Sequence, residues 1–231
     1  MTRMIWLNRR WTSCKRVIRP IHSDKLMNKK TIIYLHGFNS ASLDLNGNLL
    51  ISKDKLLVMQ AFCAEKGIEF HTPNVDYRDF QNLVEDRLFA WNQYLDQGHE
   101  VFFMGSSMGG FASEYLAMKT GSKAIMINPV NSPSALLPQF IGVTANYETG
   151  QAYDWQQPHC EQYQQFEQEI AASKRLLNRT VLLDMADELL DSAATLEKYQ
   201  AIADVLTFEG GSHSFEHMRQ ALPEIERVIF G

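Results

Sequence analysis

Val101-Phe102-Phe103-Met104-Gly105-Ser106-Ser107-Met108-Gly109-Gly110 is the stretch on which the fold turns. Four apolar residues between Glu100 and Gly105 predict a short buried strand. The next five form Gly-x-Ser-x-Gly, and the chain then runs straight into a helical pattern carrying Phe111, Tyr115 and Leu116. A strand, a tight turn and a helix in immediate succession are what a nucleophile elbow requires. The turn holds its serine in strained backbone geometry, and the flanking glycines leave room where side chains would collide. Ser107 is therefore the candidate nucleophile. The motif alone is weak: a plain glycine-rich turn reads the same way, and Gly105 to Gly110 could also cradle a phosphate at a helix N-terminus. Against the phosphate reading, there is no Gly-x-Gly-x-x-Gly and no Gly-Lys-Ser/Thr here. The following strand also closes Ile127-Asn128-Pro129, without an acid to hold a ribose hydroxyl.

Outward from the motif, short β-branched or aromatic runs alternate with longer helical patterns from Thr31 onward. Residues 31–35, 68–71, 101–104, 123–127, 180–183 and 205–208 read as strands. Helices are expected over 52–66, with Ser52 as N-cap and Leu56, Leu57, Met59 and Phe62 on the apolar side, and over 79–96, with Leu83, Leu88, Phe89, Trp91 and Leu95. Further helices are expected over 108–119, 192–202 and 215–230. The class is α/β, a doubly wound, mostly parallel sheet. Residues 131–172 break the rhythm. They are rich in Gln and aromatics, show no convincing sheet strand, and read as a helical, lid-like insertion.

A serine hydroxyl is a poor nucleophile without a base, so the motif demands a histidine on a loop after a late strand and a carboxylate before it. His213 lies on Glu209-Gly210-Gly211-Ser212-His213-Ser214-Phe215, directly after the last strand. Asp187 follows the strand before it and is the preferred acid, with Asp191, Asp184 and Glu188 as competitors. Two backbone amides could hold a negative oxygen: that of Met108, next to the serine, and that of Phe38, on the Leu35-His36-Gly37-Phe38-Asn39-Ser40 loop after the first strand. His36 reads as a residue that positions this loop. His213-Ser214-Phe215-Glu216-His217 formally matches a zinc pattern, His-x-x-Glu-His, but straddles a Gly-Gly loop, so no metal is expected. Leu136, Phe140 and Trp155 in the insertion, together with Leu137, Tyr147 and Tyr153, either line a pocket for an apolar group or bury the insertion against the sheet.

The 231 residues are 45% hydrophobic and 21% charged, ordinary values for one globular domain with a sizeable core. No run reaches the roughly 18 apolar residues of a membrane-spanning helix. Cys14, Cys63 and Cys160 are too few for a disulfide framework, and a reducing, cytoplasmic setting is expected. The net charge of −5 is unevenly spread. Nine basic residues oppose Asp24 alone in residues 1–30, leaving thirteen basic against twenty-six acidic in the remainder, a poor nucleic-acid surface. Residues 1–26 form a basic extension without the apolar stretch of a secretory signal, and the domain is read as starting at Met27.

Five blocks, in order, carry a resemblance. They are Ile32-Ile33-Tyr34-Leu35-His36-Gly37-Phe38-Asn39-Ser40, Gly105-Ser106-Ser107-Met108-Gly109-Gly110, Ile127-Asn128-Pro129, Asp187-Glu188-Leu189-Leu190-Asp191, and Glu209-Gly210-Gly211-Ser212-His213-Ser214-Phe215. From about Lys30 to the C-terminus the chain resembles the small bacterial YqiA/YcfP-type α/β-hydrolases. The resemblance implies a compact α/β-hydrolase fold without the two leading antiparallel strands of larger relatives, and an esterase with Ser107 as nucleophile, His213 as base and Asp187 as acid. The expected partner is a small-molecule ester or acyl substrate, thioesters included, with no cofactor. A binding module on the same frame is the alternative.

Overall fold

The computed structural model describes residues 29–50, 54–175 and 177–231; the basic extension over 1–26 and the expected N-cap Ser52 lie outside them. Along the chain come β1 (Lys29–Leu35), α1 (Asp54–Lys66), β2 (Glu69–His71), α2 (Phe80–Asp96), β3 (His99–Ser106), α3 (Met108–Thr120) and β4 (Lys123–Ile127). They continue with α4 (Pro133–Leu136), β5 (Gly142–Ala145), β6 (Ala152–Trp155), α5 (Gln157–Ala172), β7 (Arg179–Asp184), α6 (Ser192–Tyr199), β8 (Asp204–Phe208) and α7 (Met218–Phe230).

Six strands form one parallel sheet in the order β2-β1-β3-β4-β7-β8. Strands buried on both faces read as continuous apolar runs, and Ile32 to Leu35 and Phe102 to Met104 are at most 1% exposed. One face packs Ile33, Leu35, Phe103, Met126 and Leu183 with residues of α2, α3 and α5. The other packs Ile32, Tyr34, Phe102, Met104 and Leu182 with residues of α1 and α7. The chain moves from β1 outward to β2 and then back across to β3, so the strand order reverses between β1 and β3. In open α/β sheets ligands bind at such a point, outside the carboxyl ends of the strands. Register sets what meets there: Leu35 pairs with Gly105, Ser106 with Ile127 and Asp184 with Phe208.

Three expectations are corrected. First, α7 starts at Met218 rather than residue 215, because Phe215 has φ 61° and the preceding loop is tied to Asp184. Second, Phe89 and Leu95 do not belong to the packed face of α2. The buried stripe runs through Phe80, Leu83 and Val84 with Leu88 and Trp91, at helical spacing, and leaves Phe89 65% exposed. Third, residues 131–172 hold, besides α5, a two-stranded antiparallel hairpin, β5–β6, that does not join the main sheet. Its strands are four residues each, too short for alternation to reveal.

Phe80 makes the difference between the faces of α2 measurable. Its ring sits 4.6 to 5.8 Å from those of Phe166, Tyr163, Tyr115 and Phe111. Phe80→Ala is expected to lower unfolding free energy in urea by about 3–5 kcal/mol, and Phe89→Ser to change it by about 0.5 kcal/mol or less. Equal losses would contradict this packing.

Candidate active site

Ser107 follows the last residue of β3 with φ 59° and ψ −121°. Such a backbone costs roughly 1–3 kcal/mol and persists only where its surroundings fix it. Here the Ser107 N–H donates to the Ile127 carbonyl at 2.9 Å, and the Ser107 carbonyl accepts from Gly110 at 2.9 Å and Val130 at 3.2 Å. The crossing also needs Gly109 to be bare: a Cβ there would overlap the Leu35 carbonyl and stand 2.8 Å from that of His36. Ser106 points elsewhere. It is 4% exposed and its hydroxyl accepts from Lys55 Nζ at 2.8 Å.

The loop after β1 lies against the serine, since a Cβ at Gly37 would be 3.6 Å from Ser107 Oγ. His36 fixes this loop. Its Nε2 accepts from the Val75 amide at 2.9 Å, so the ring proton is on Nδ1, which donates to the Gly37 carbonyl at 2.8 Å. Tyr77 donates its hydroxyl to the His36 carbonyl. Among the described residues neither the Phe38 nor the Met108 amide enters any loop or side-chain hydrogen bond. Met108, as the first residue of α3, has no intrahelical acceptor.

At the carboxyl ends of β7 and β8 the structure brings Asp187 and His213 together. His213 Nδ1 lies 2.8 Å from Asp187 Oδ2, and the carboxylate is 1% exposed. Asp187 Oδ1 accepts the amides of Leu189 and Leu190, each at 2.8 Å. Burial works to raise the Asp187 pKa, but the bond from His213 and the amides of Leu190 and Leu189 outweigh it and hold the carboxyl below its ordinary value. An ionised carboxylate only accepts, so Nδ1 carries a proton, and in the neutral imidazole the lone pair is then on Nε2. Among the described residues no hydrogen bond joins Ser107 Oγ to His213; apo sites often hold this contact open.

Asp184, Asn128 and His217 do more than the sequence discloses. Asp184 is fully buried at the end of β7. Its Oδ2 accepts the amides of Glu216 at 2.7 Å and Ser212 at 3.2 Å, and its Oδ1 accepts His217 Nδ1 at 2.7 Å. Gly211, at φ 73°, passes so close that a Cβ would overlap this carboxylate. Asn128 Oδ1 accepts the Asp184 amide at 2.9 Å, and its Nδ2 donates to the Ser212 carbonyl at 3.0 Å. The loop bearing His213 is thus hung on the ends of β4 and β7. Asp191 caps α6 by accepting the Ala194 amide at 3.0 Å, and Glu188 accepts the His213 amide at 2.9 Å; neither meets the imidazole.

A family model described as Uncharacterised protein family (UPF0227) matches residues 31–229. The chain belongs to this family. The match agrees with the resemblance to the YqiA type. A UPF0227 protein of Vibrio atlanticus (strain LGP32) is 27% identical over 195 residues, covering 83% of this chain and 94% of the relative. One of Shewanella sp. (strain MR-4) is 24% identical over 203 residues, 87% and 99%. Among solved structures, Est1E from Butyrivibrio proteoclasticus superposes with TM-score 0.66 at 14% identity, covering 87% of this chain and 86% of that one. Mouse alpha/beta hydrolase domain-containing protein 10 superposes with TM-score 0.59 at 17% identity, 86% and 89%. The fold of this family member is that of the α/β-hydrolases.

The three insertion residues expected at the substrate divide. Leu136 lines a cavity of about 280 Å³ with Pro129, Val130, Ala135 and Leu190, beside the elbow. Phe140 packs on Phe38 at 5.1 Å between ring centroids. Trp155 is fully buried, 4.7 Å from the Phe38 ring, with Nε1 donating to Cys160 Sγ, and so lines no open pocket. Other clefts are larger: two, about 590 and 500 Å³, lie against α3, α5 and α6 and at the amino ends of β4, β7 and β8, away from Ser107; one of about 340 Å³ lies over β2 and α2, and one of about 330 Å³ lies against the loop after β1, lined by His36, Asn39, Tyr77 and Tyr153. Because no rotamer can relieve a backbone overlap, Gly109→Ala is expected to destabilise by more than the roughly 1–3 kcal/mol of ordinary overpacking. Thermal unfolding checks this, and an unchanged midpoint would refute the close crossing of α3 over β1.

Proposed function

We propose that the chain is a serine hydrolase that cleaves carboxylic esters or thioesters through Ser107, His213 and Asp187 by way of an acyl-enzyme. The observation that carries the reading is the 2.8 Å bond from His213 Nδ1 to Asp187, which puts the lone pair of the neutral imidazole on Nε2, while Ser107 stands in elbow geometry just past the end of β3. In the first half-reaction Nε2 takes the Ser107 proton as Oγ attacks the acyl carbon, and the amides of Phe38 and Met108 receive the developing oxyanion. His213 then returns the proton to the leaving alkoxide or thiolate as the carbon–heteroatom bond breaks. A water deprotonated by His213 attacks the acyl-enzyme, and the acid product and free Ser107 follow. Asp187 keeps the imidazole in the required tautomer. The hydrolase names of fold neighbours, among them two metagenome-derived lipolytic enzymes, support the class without adding a substrate.

The cavity lined by Leu136, Leu190 and Ala135 is mostly apolar, with Asn131, Ser132, Asp191 and Thr195 also on its walls, and at about 280 Å³ it is small for a ligand site. It supports a short acyl or alkyl group as the substrate's apolar part. Buried free thiols at Cys63 and Cys160 go with a reducing, cytoplasmic setting. The alternative, a binding module on a hydrolase frame, draws on the open link between Ser107 and His213. A fluorophosphonate probe separates the two: wild type becomes labelled and Ser107→Ala does not, whereas folded but unlabelled wild type would favour the binding module. With p-nitrophenyl esters, kcat/KM is expected to peak between acetate and hexanoate, and a maximum at laurate or longer would refute the short-chain assignment.

Asp187→Asn tests the acid separately. Its side chain can still accept from Leu189 and Leu190, but its NH2 meets Nδ1 and favours the wrong imidazole tautomer; kcat should fall by about 10³ to 10⁴ with the fold retained. Because the Asp187 pKa is lowered from 3.8, the pair's stabilisation is complete above that value and is lost as pH falls through the lower folded value. Acid unfolding of wild type and variant should therefore converge once pH has fallen through that lowered value. A variant with full turnover would remove Asp187 from the mechanism.

A further inference from the structure

The hairpin β5–β6 belongs to an insertion expected to act as a lid, yet its hydrogen bonds to the body of the domain gather on the loop bearing Phe38. Asn39, next along, is 4% exposed and holds φ 53°, a left-handed backbone that is uncommon away from glycine. Every polar atom of its side chain, and its main-chain carbonyl, ends on the hairpin. Nδ2 donates to Thr144 Oγ1 at 2.9 Å, Oδ1 accepts the Tyr153 hydroxyl, and the carbonyl accepts the Tyr147 amide at 2.7 Å. Thr144 and Tyr153 are direct cross-strand partners, so their side chains leave one face of the hairpin together, while Val143, opposite Asp154, is 86% exposed on the other. Asn146 adds a bond from Nδ2 to the Ser40 carbonyl at 2.7 Å. Below, Phe38 packs its ring on Phe140 and Trp155. Tyr153 in turn lies under the Arg78 guanidinium, 5.0 Å from its ring centroid, and Arg78 is paired with Asp76.

These bonds fix the peptide between Phe38 and Asn39 from the outside, while His36 and Tyr77 fix the segment before it from the inside. We propose that Asn39 is a positioning residue and the hairpin its clamp, together aiming the Phe38 amide at the oxyanion that forms over Ser107. The inference rests on the serine hydrolase reading for its catalytic half and on the hairpin contacts alone for its structural half. An oxyanion donor works only if it is preorganised, since reorienting it during the reaction would use up the stabilisation it offers. The left-handed residue after Phe38 sets the direction of the loop, and without its side-chain bonds a non-glycine residue would drift toward the commoner negative φ.

Two measurements on the full chain test this, hydrogen–deuterium exchange and steady-state kinetics with a p-nitrophenyl ester, for wild type, Asn39→Ala, Asn39→Asp and Thr144→Val. Exchange over residues 37–41 should quicken about tenfold or more in Asn39→Ala and Thr144→Val, with β3 and β4 unchanged. In those variants kcat should fall by about 10- to 100-fold, part of the loss that follows removal of a whole donor, with KM within about threefold. Asn39→Asp keeps the acceptor for Tyr153 and should recover part of both. Thr144→Val leaves the loop sequence intact, so it answers if Asn39→Ala fails to fold. Unaltered exchange in the loop would overturn the clamp whatever the activity. Faster exchange with undiminished kcat would overturn its catalytic role. If wild type takes no fluorophosphonate label, the hydrolase reading falls by itself, and the exchange rates still uphold or overturn the clamp.

Discussion

The structure depends on one close approach, that of the first turn of α3 to the carboxyl end of β1. A parallel strand and the helix that follows its neighbour can come this near only where a side chain is missing, and Gly109 provides the gap against the Leu35 carbonyl. From this contact the site is assembled outward. Because α3 lies so low, Ser107 must turn sharply out of β3 into a left-handed backbone, and its hydroxyl stands beside Gly37 rather than inside the sheet. The same proximity sets the loop after β1 against the serine at Gly37. Burial of α3 from Met108 to Met118 then removes any freedom to relax the turn. The core, in other words, maintains the strain at Ser107.

The inner strands β1, β3, β4 and β7 are legible in the sequence because they are buried on both faces and so write themselves as apolar runs. Ser107, Asp187 and His213 are legible for a related reason: each lies just past a strand end, and in a parallel sheet all such ends share one rim. What the sequence conceals is held by side chains across long separations. The hairpin β5–β6 is specified less by its own eight strand residues than by bonds to Asn39 and Ser40, more than a hundred positions earlier. Trp155 looks like a pocket residue by type, but its ring fills the floor under Phe38. The start of α7 is misread because Phe215 is apolar and well spaced for a helix, while the Asp184 carboxylate takes the amides of Ser212 and Glu216 and keeps that turn open.

The polar framework behind the rim follows a rule of compensation. A fully buried carboxylate such as Asp184 is tolerable only with its oxygens occupied, and three donors from the His213 loop occupy them. Glu114 on α3 is treated alike, with Arg179 2.8 Å from Oε1 and the Tyr199 hydroxyl 2.7 Å from Oε2, tying α3 to β7 and α6. Neither carboxylate has an oxygen left over for a mobile partner, so both serve as fixed posts.

That distinction explains why, of two aspartates three residues apart, it is Asp187 that faces the imidazole. Asp184 is still within β7, where a side chain stands perpendicular to the sheet and is enclosed by the helices packed on it. There it can anchor a loop, and His217, stacked on Phe208 at 5.2 Å, completes the anchor. By Asp187 the chain has turned, with the Asp187 amide donating back to the Asp184 carbonyl at 3.3 Å, and the side chain emerges at the rim with one oxygen stabilising its own turn and the other free for His213. The two Asp–His pairs, equally enclosed, therefore divide the work by position. The pair at the end of β7 fixes where the loop is, and the pair past the turn fixes how the ring on that loop is turned.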